Sequence, residues 1–399
     1  MNGLGKVLWF LAALSPWAGP PTPGAPSPSP PTRTQAADFE TLRRRADEAR
    51  TAGRIGEAIE LYTHATAIQP SWSEGYWYLG TIYYDADRHQ ECRDAFAAVV
   101  HLEPEHGAAW AFRGLCEFRL AQYGPALEHL TRANDLGVGD DPSFLAVVGY
   151  HRAILLARFE QFERALDLNA GFVRGGNTSS TVVEALGITL LRLPMLPSEV
   201  LPEKREIVEM AGRAGLYAIG MMRAEAERTF QQLISKYPDA PNVHYVYGTY
   251  LMGDRSAEAL EQFNIELQRS PEHVLARVQI AQELVKRGEF ERASPYATEA
   301  ARLGPNNFMA RRIVGQVKLQ AGDTSGAIAH LEAARALEPT SPSVRYHLAR
   351  AYQRAGRGDD AKRERAEFSR LESIEQRKRG GANTLGEEPA EDTGRERPR

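Results

Sequence analysis

Residues 289–305 read EFERASPYATEAARLGP, and the pattern of this stretch sets the fold because it recurs along the chain. Ala293, Ala297 and Ala300 are spaced four and three apart, so they share one face of a predicted helix. Small side chains on that face let a partner helix approach to within about 8–10 Å. Pro305 then ends the helix. The stretch therefore predicts the second helix of a closely packed helical hairpin.

The pattern repeats every 34 residues between 271 and 372. The closing proline stands at Pro271, Pro305 and Pro339, with 305 − 271 = 34 and 339 − 305 = 34. A small residue keeps the same spacing, at Ala259, Ala293, Ala327 and Ala361. A period of about 34 residues is typical of a two-helix unit that stacks on its neighbours, since one unit cannot bury its own apolar face. One period after Pro339 stands Ser373, which indicates that the last unit ends there.

These units resemble the tetratricopeptide repeat (TPR) family. The resemblance is carried by Ala281, Leu284, Ala293, Ala297, Ala300 and Pro305, then by Gly315, Ala327, Leu331, Ala334 and Pro339, and finally by Leu348, Ala349, Tyr352, Ala361 and Phe368. It implies an all-α solenoid of helix-turn-helix units wound into a right-handed superhelix. It also implies a non-enzymatic adaptor without a cofactor, whose first helices line a concave groove that binds a protein or peptide partner.

The spacing divides the chain into two predicted arrays. The first covers residues 39–170, with units closing at Pro70 and Pro104, and 104 − 70 = 34. The second covers residues 207–373. Within the first array, Asp141 before Pro142 predicts a helix start.

Three segments do not follow the repeat. Residues 171–206 contain three Leu-Pro steps and predict an irregular helical insert, or a joint between the arrays. Residues 20–38 are proline-rich and predict an extended linker. Residues 374–399 are charged and poor in apolar side chains, which predicts a disordered tail.

The first 19 residues have the pattern of an export signal. Lys6 precedes the apolar run Val7–Leu14, which is shorter than the roughly 20 residues that span a bilayer. We therefore expect an exported protein, periplasmic or secreted. The alternatives are an uncleaved N-terminal anchor, which is the one membrane contact the sequence predicts, and a mis-assigned start. Seven lysines against 48 − 7 = 41 arginines we interpret as a coding bias of a bacterial source.

Composition and motifs argue against several classes of function. The net charge of −4 and the pI near 6.3 lack the basic excess of a nucleic-acid binder. No Gly-rich phosphate loop, GxSxG or HExxH motif is present in the sequence, so we expect no enzyme, no cofactor and no metal. Two alternatives stay open: a structural or assembly subunit of an envelope complex, acting through the convex face or the insert, and an enzyme with its site in residues 141–206.

The two cysteines, Cys92 and Cys116, stand 24 residues apart and lack the spacing of a zinc site. Cys92 occupies the small-residue position of its unit, 34 residues after Ala58 and 34 before Ala126. The pattern favours a buried free thiol, with a disulfide between adjacent helices as the alternative.

Candidate peptide-binding residues follow from the predicted first helices. At steps of four and three, Trp77, Thr81 and Tyr84 share a face, as do Arg312 and Gln316 in a later unit and Tyr346 and Arg350 in the last. Aromatic and arginine side chains are enriched in binding hot spots. The alternative is that the aromatic residues pack in the core and that the arginines lie on a solvated face.

Some TPR domains clamp a carboxylate tail with a lysine and asparagine set. The matching positions here hold Arg43 and Asp47, Trp77 and Thr81, and Ala111 and Leu115, with no asparagine among them. The clamp function is therefore not transferred to this chain.

Overall fold

The computed structural model describes residues 33–384, and this part of the chain forms nineteen α-helices, one 3-10 turn and no β-strand. The predicted all-α class is confirmed. The export segment 1–19, most of the predicted linker 20–38 and residues 385–399 lie outside the described residues, so those predictions stay predictions.

The chain divides into two compact units, Met1–Gln231 and Gln232–Arg399. The first contains α1 (Arg33–Thr51), α2 (Ile55–Ile68), α3 (Ser73–Asp85), α4 (His89–Leu102), α5 (Gly107–Arg119), α6 (Tyr123–Leu136), α7 (Pro142–Arg158), α8 (Phe162–Arg174), α9 (Ser180–Leu190), a 3-10 turn (Pro197–Glu199) and α10 (Pro202–Ile219). The division falls inside α11 (Arg223–Lys236). It does not fall in residues 171–206, for which the sequence predicted an irregular insert or a joint between the arrays.

The second unit continues with α12 (Val243–Leu251), α13 (Ser256–Arg269), α14 (Val274–Lys286), α15 (Phe290–Leu303), α16 (Phe308–Gln320), α17 (Thr324–Leu337), α18 (Pro342–Arg354) and α19 (Gly358–Thr384). The last helix differs from the prediction, because residues 374–384 extend α19 where the composition predicted a disordered tail. At the other end, α1 begins inside the predicted linker.

Within each unit the helices form hairpins, in which a first helix packs on the second helix that follows it. The pairs are α1 with α2, α3 with α4, α5 with α6, α7 with α8, and α9 with α10, and then α12 with α13, α14 with α15, α16 with α17, and α18 with α19. First helices of neighbouring hairpins also touch, as α5 touches α7, α14 touches α16 and α16 touches α18. We call the surface formed by these first helices the first-helix face of each unit.

Small residues let the hairpins close. A Cβ added to Gly80 on α3 would lie 2.7 Å from the ring of Phe96 on α4, and one added to Gly315 on α16 would lie 2.6 Å from Leu331 on α17. The turn inside a hairpin needs a left-handed residue, which is Gly53 (φ 72°), Asp87 (φ 54°) or Ala121 (φ 58°) in the first three. The 34-residue period thus repeats both the close approach and the turn.

The insert contributes a helix of the stack. α9 lies within residues 171–206 and packs on α10 as a first helix packs on its second. The two backbones come very close, because a Cβ on Gly187 would lie 1.9 Å from the carbonyl oxygen of Val208, and one on Gly212 would lie 2.0 Å from that of Val183. Glycine is required at both positions, since any side chain would force the helices apart.

A disulfide joins α4 to α5. Cys92 and Cys116 are bonded through their sulfurs, and both residues are fully buried. The preferred expectation of a free buried thiol is therefore wrong, and the alternative of a disulfide between adjacent helices is confirmed. The pairing follows from the stacking of one unit on the next, which brings two cysteines that are 24 residues apart in the sequence to a Cα–Cα distance of 6.2 Å.

A buried histidine in α7 makes the stability of the first unit depend on pH. The Nδ1 atom of His151 lies 2.8 Å from the carbonyl oxygen of Val147, and its ring packs edge-on against Phe118. Burial is the main cause that lowers the pKa of His151 from 6.5 to about 4; the charge of Arg119 acts in the same direction, and the hydrogen bond with Val147 opposes them. The neutral ring is favoured in the folded state, so its contribution is complete above about pH 6.5 and is lost as the pH falls towards 4.

We expect acidification from pH 7 to pH 5 to cost the wild type about 2 kcal/mol more unfolding free energy than it costs His151→Phe. Urea unfolding at both pH values measures the difference. His64→Gln is the control, because His64 is exposed and its removal should leave the pH dependence as in the wild type. Equal pH dependence in wild type and His151→Phe would contradict the assignment.

Candidate protein-interaction surface

Trp77 and Tyr84, the aromatic candidates of the first unit, pack against aromatic residues of its core. The ring of Trp77 packs 5.4 Å from Phe96, 5.7 Å from Phe112 and 4.9 Å from His106, measured between ring centroids. Tyr84 packs edge-on against Phe112 at 5.3 Å. Both are half-buried, so each combines a core contact with a partly exposed surface. This packing accounts for their presence, and their part in binding stays a prediction.

Thr81 lies between them on α3 and is half-buried. Its hydroxyl donates to the carbonyl oxygen of Tyr78 at 3.0 Å, one turn back in the same helix. The hydroxyl is therefore engaged within the helix, where it satisfies a backbone acceptor.

The candidates of the second unit lie on two helices that touch each other. Arg312 and Gln316 are on α16, and Tyr346 and Arg350 are on α18. The guanidinium of Arg350 lies over the ring of Tyr346, 5.6 Å from its centroid, and Tyr346 is 46% exposed. We call Arg312, Gln316, Tyr346, His347 and Arg350 the arginine patch.

On α16 and α18, Arg312 and Arg350 differ from the other arginines and the lysine in their hydrogen bonds and ion pairs. Arg311 and Arg345 donate to the carbonyl oxygens of Pro305 and Pro339 at 2.7 and 2.8 Å, and Arg345 also pairs with Glu364. Lys318 pairs with Asp323, and Arg354 donates to the carbonyl oxygen of Leu319. Arg312 and Arg350 make no hydrogen bond or ion pair among the side chains that the structure describes. Burial alone lowers the pKa of Arg312, with no carboxylate to offset it.

His347 belongs to the patch and was missed by sequence reasoning. It is 9% exposed, and its Nδ1 atom is buried without a hydrogen-bond partner among the described residues. Burial lowers the pKa of His347 to about 4, and the charges of Arg312 and Arg350 add to the effect. The repeat register holds the clue that could have found it, since His347 stands 34 residues after the fully buried Ile313.

Polar side chains recur at one register position on the first-helix face of the second unit. Gln282, Gln316 and Arg350 occupy one register position in successive units, 34 residues apart. The side-chain oxygen of Gln282 is buried and has no hydrogen-bond partner within the described part of the chain. Buried polar atoms without a partner are uncommon in folded proteins and call for an explanation.

The clamp positions on α1 are used internally. Arg43 donates to Glu40 at 2.8 Å, and Asp47 accepts a hydrogen bond from the hydroxyl of Tyr62 at 2.7 Å. The first contact lies within α1, and the second joins α1 to α2.

Within residues 33–384, no group of three or more histidine, cysteine, aspartate or glutamate side chains has the arrangement to hold a metal ion. Over the same residues, no helix combines the length and the apolar character needed to traverse a bilayer.

Three family models, each described as a tetratricopeptide repeat, match parts of the chain. They cover residues 79–137 in the first predicted array, and residues 213–240 and 318–364 in the second. No curated protein matches the chain.

Solved structures with helical repeats also align with the chain. A MamA structure (AMB-1) is 20% identical, with a TM-score of 0.35, and the alignment covers 39% of this chain and 94% of MamA. Yeast Tom70 is 13% identical, with a TM-score of 0.34, over 84% of this chain and 85% of Tom70. At these values neither likeness carries an argument about function.

Proposed function

We propose, because this chain is a tetratricopeptide repeat protein, that it is a non-enzymatic scaffold whose first-helix face forms a groove for a protein or peptide partner. Repeats of this family are protein-interaction modules. The observation that carries the proposal is the arginine patch, where two arginines have no hydrogen bond or ion pair among the described residues and lie near an exposed tyrosine. Arginine and tyrosine are the side chains most often found as interface anchors.

Binding would require little change in the backbone. α16 and α18 each pack on a second helix, and fully buried residues such as Leu331 and Leu348 hold them in place. A surface supported in this way is organised before the partner arrives, which reduces the entropy lost on binding. The partner then gains contacts to side chains that the fold itself does not use.

We further propose that the protein is exported. The disulfide between Cys92 and Cys116 supports this, because disulfides persist in oxidising compartments and are rare where thiols are kept reduced. The apolar run Val7–Leu14 after Lys6 supports it independently. An uncleaved N-terminal anchor is the alternative, and N-terminal sequencing of the mature chain distinguishes the two.

The test is site-specific crosslinking in the full-length chain. A photo-crosslinking residue at Gln316 should capture a protein partner from the native envelope, and Arg312→Gln/Arg350→Gln should reduce the yield. The matched control is Arg292→Gln/Arg302→Gln on the second helix α15, which removes the same charge and should leave the yield unchanged. Recovery of no protein, or equal loss in both variants, would contradict the proposal.

A second function, subunit of an envelope complex, is favoured by one observation. Leu201, in the insert before α10, is 52% exposed and so offers apolar surface that an assembly contact would bury. Leu201→Ser should then weaken assembly while the arginine patch keeps its partner. Unchanged assembly in this variant would remove the support for the second function.

A further inference from the structure

We propose that Arg312 and Arg350, on the two neighbouring helices α16 and α18, form a binding site for a carboxylate side chain in an acidic segment of the partner protein. The inference rests on the proposed scaffold function and adds the chemical class of the partner. It follows from three features of the patch: two cations without a carboxylate partner among the described residues, a buried neutral histidine that adds no charge, and one exposed ring.

The first feature is uncompensated positive charge. Arg312 is half-buried, and the interaction that shifts its pKa is desolvation, with no acidic neighbour. Arg350 lies near enough to act electrostatically on the same histidine as Arg312. Two guanidinium groups close together repel each other unless an anion lies between them. The fold keeps this arrangement although α16 and α18 pair or hydrogen-bond their other cations.

The second feature is His347. The ring is neutral near pH 7 because its pKa is lowered to about 4, so the positive charge of the patch is carried by the arginines. Its buried Nδ1 atom lacks a partner among the described residues. Because this atom is closed to solvent, it is not available to a partner, and His347 takes part only as a neutral neighbour of the two cations. A carboxylate has enough lone pairs to accept from both guanidinium groups.

The third feature identifies a peptide as the occupant. Tyr346 is 46% exposed beside Arg350, and its ring also packs 5.9 Å from Phe368 on α19. A free small anion would leave the exposed part of this ring uncovered, whereas a peptide gains apolar contact as well as charge pairing. Gln316, half-buried on α16 in the same register column as Arg350, supplies an amide suited to a peptide backbone.

The experiment measures binding of an acetylated, amidated peptide that alternates glutamate and serine to the full-length chain. The comparison peptide has glutamine in place of every glutamate. We expect Arg312→Gln or Arg350→Gln to weaken binding of the glutamate peptide by about tenfold or more. The glutamine peptide should bind the wild type as weakly as the glutamate peptide binds the variants. Arg302→Gln, which removes one positive charge from the outer helix α15, should leave binding unchanged.

Stability gives an independent readout that separates a binding site from a structural one. Because Arg312 is partly desolvated without a partner, Arg312→Gln should melt at or above the temperature of the wild type. A lower melting temperature would mean that the charge stabilises the fold, and this would overturn the proposal. Equal affinity for the two peptides, or equal loss in Arg302→Gln, would overturn it as well.

Tighter binding of inorganic phosphate or an oligonucleotide than of the glutamate peptide would also overturn the proposal, in favour of a phosphate-bearing ligand. These results are distinct from failure of the scaffold function. Capture of a partner through Gln316 that survives Arg312→Gln/Arg350→Gln would leave an interaction on this face while removing its acidic specificity. Capture of no protein at all would remove the scaffold function itself.

Discussion

Replacing Phe112 with alanine is expected to lower the free energy of unfolding of the first unit by about 3–5 kcal/mol. The Phe112 side chain is 1% exposed, and its ring stacks 5.0 Å from both Phe96 and Phe144. It also packs on Trp77 and Tyr84. Phe112 thus connects α5 to α3, α4 and α7, so its removal opens a cavity where three hairpins meet.

Urea unfolding followed by circular dichroism measures the Phe112→Ala loss. Phe159→Ala is the matched control, because Phe159 is 43% exposed and its truncation should change the unfolding free energy by no more than about 0.5 kcal/mol. A loss below about 1 kcal/mol for Phe112→Ala would mean that the hairpins do not share this core. Because Trp77 packs on Phe112, its fluorescence should change in the same transition.

Removing the disulfide with Cys92→Ala/Cys116→Ala is expected to cost about 3 kcal/mol of unfolding free energy. The bond closes a loop across a separation of 24 residues, and the model of unfolded-chain entropy gives a cost of this size for such a loop. Both positions are fully buried and lie in the same core cluster as Phe112, so alanine fits without introducing a polar group.

A reductant provides the control for the disulfide. It should lower the melting temperature of the wild type towards that of the double variant and leave the double variant unchanged. Equal stability of the two proteins without reductant would show that the bond is absent or without effect. That result would also remove the structural support for an oxidising compartment.

The repeat units were predictable because their determinants are local. The spacing of Ala293, Ala297 and Ala300 defines a helix face, and all three are fully buried as expected. Asp141 before Pro142 predicted a helix start, and its carboxylate accepts a hydrogen bond from the backbone nitrogen of Ser143 at 2.7 Å. Helix periodicity and capping involve residues within about one turn of each other, so a sequence records them directly.

The insert was harder to predict because its composition and its packing point in different directions. Three Leu-Pro steps in residues 171–206 suggested a joint, yet α9 packs on α10 through Gly187 and Gly212. Glycine has a low helix propensity, so from the sequence alone these two positions only lower the predicted stability of their helices. Only the partner backbone shows that they are the sites of closest approach.

The candidate site was predicted in outline only. Sequence spacing placed Arg312 with Gln316 and Tyr346 with Arg350 on two helix faces, and the structure places these faces on neighbouring helices. The sequence could not show that Arg311 and Arg345 make hydrogen bonds or ion pairs, because their acceptors lie on other turns and helices. Nor could it show that Arg312 and Arg350 make none among the described residues. His347 was missed because its burial is set by packing between helices, which residue spacing along one helix does not show.

The sequence by itself therefore determined the helices, the 34-residue unit and the all-α class, because these depend on neighbours along the chain. Only the tertiary structure decided that Cys92 bonds to Cys116, that α9 joins the stack, and that Arg312 and Arg350 have no hydrogen bond or ion pair among the described residues while the Nδ1 atom of His347 is buried without one. Those outcomes depend on distances between residues of different helices. Such distances are set when the hairpins bury their apolar faces against one another.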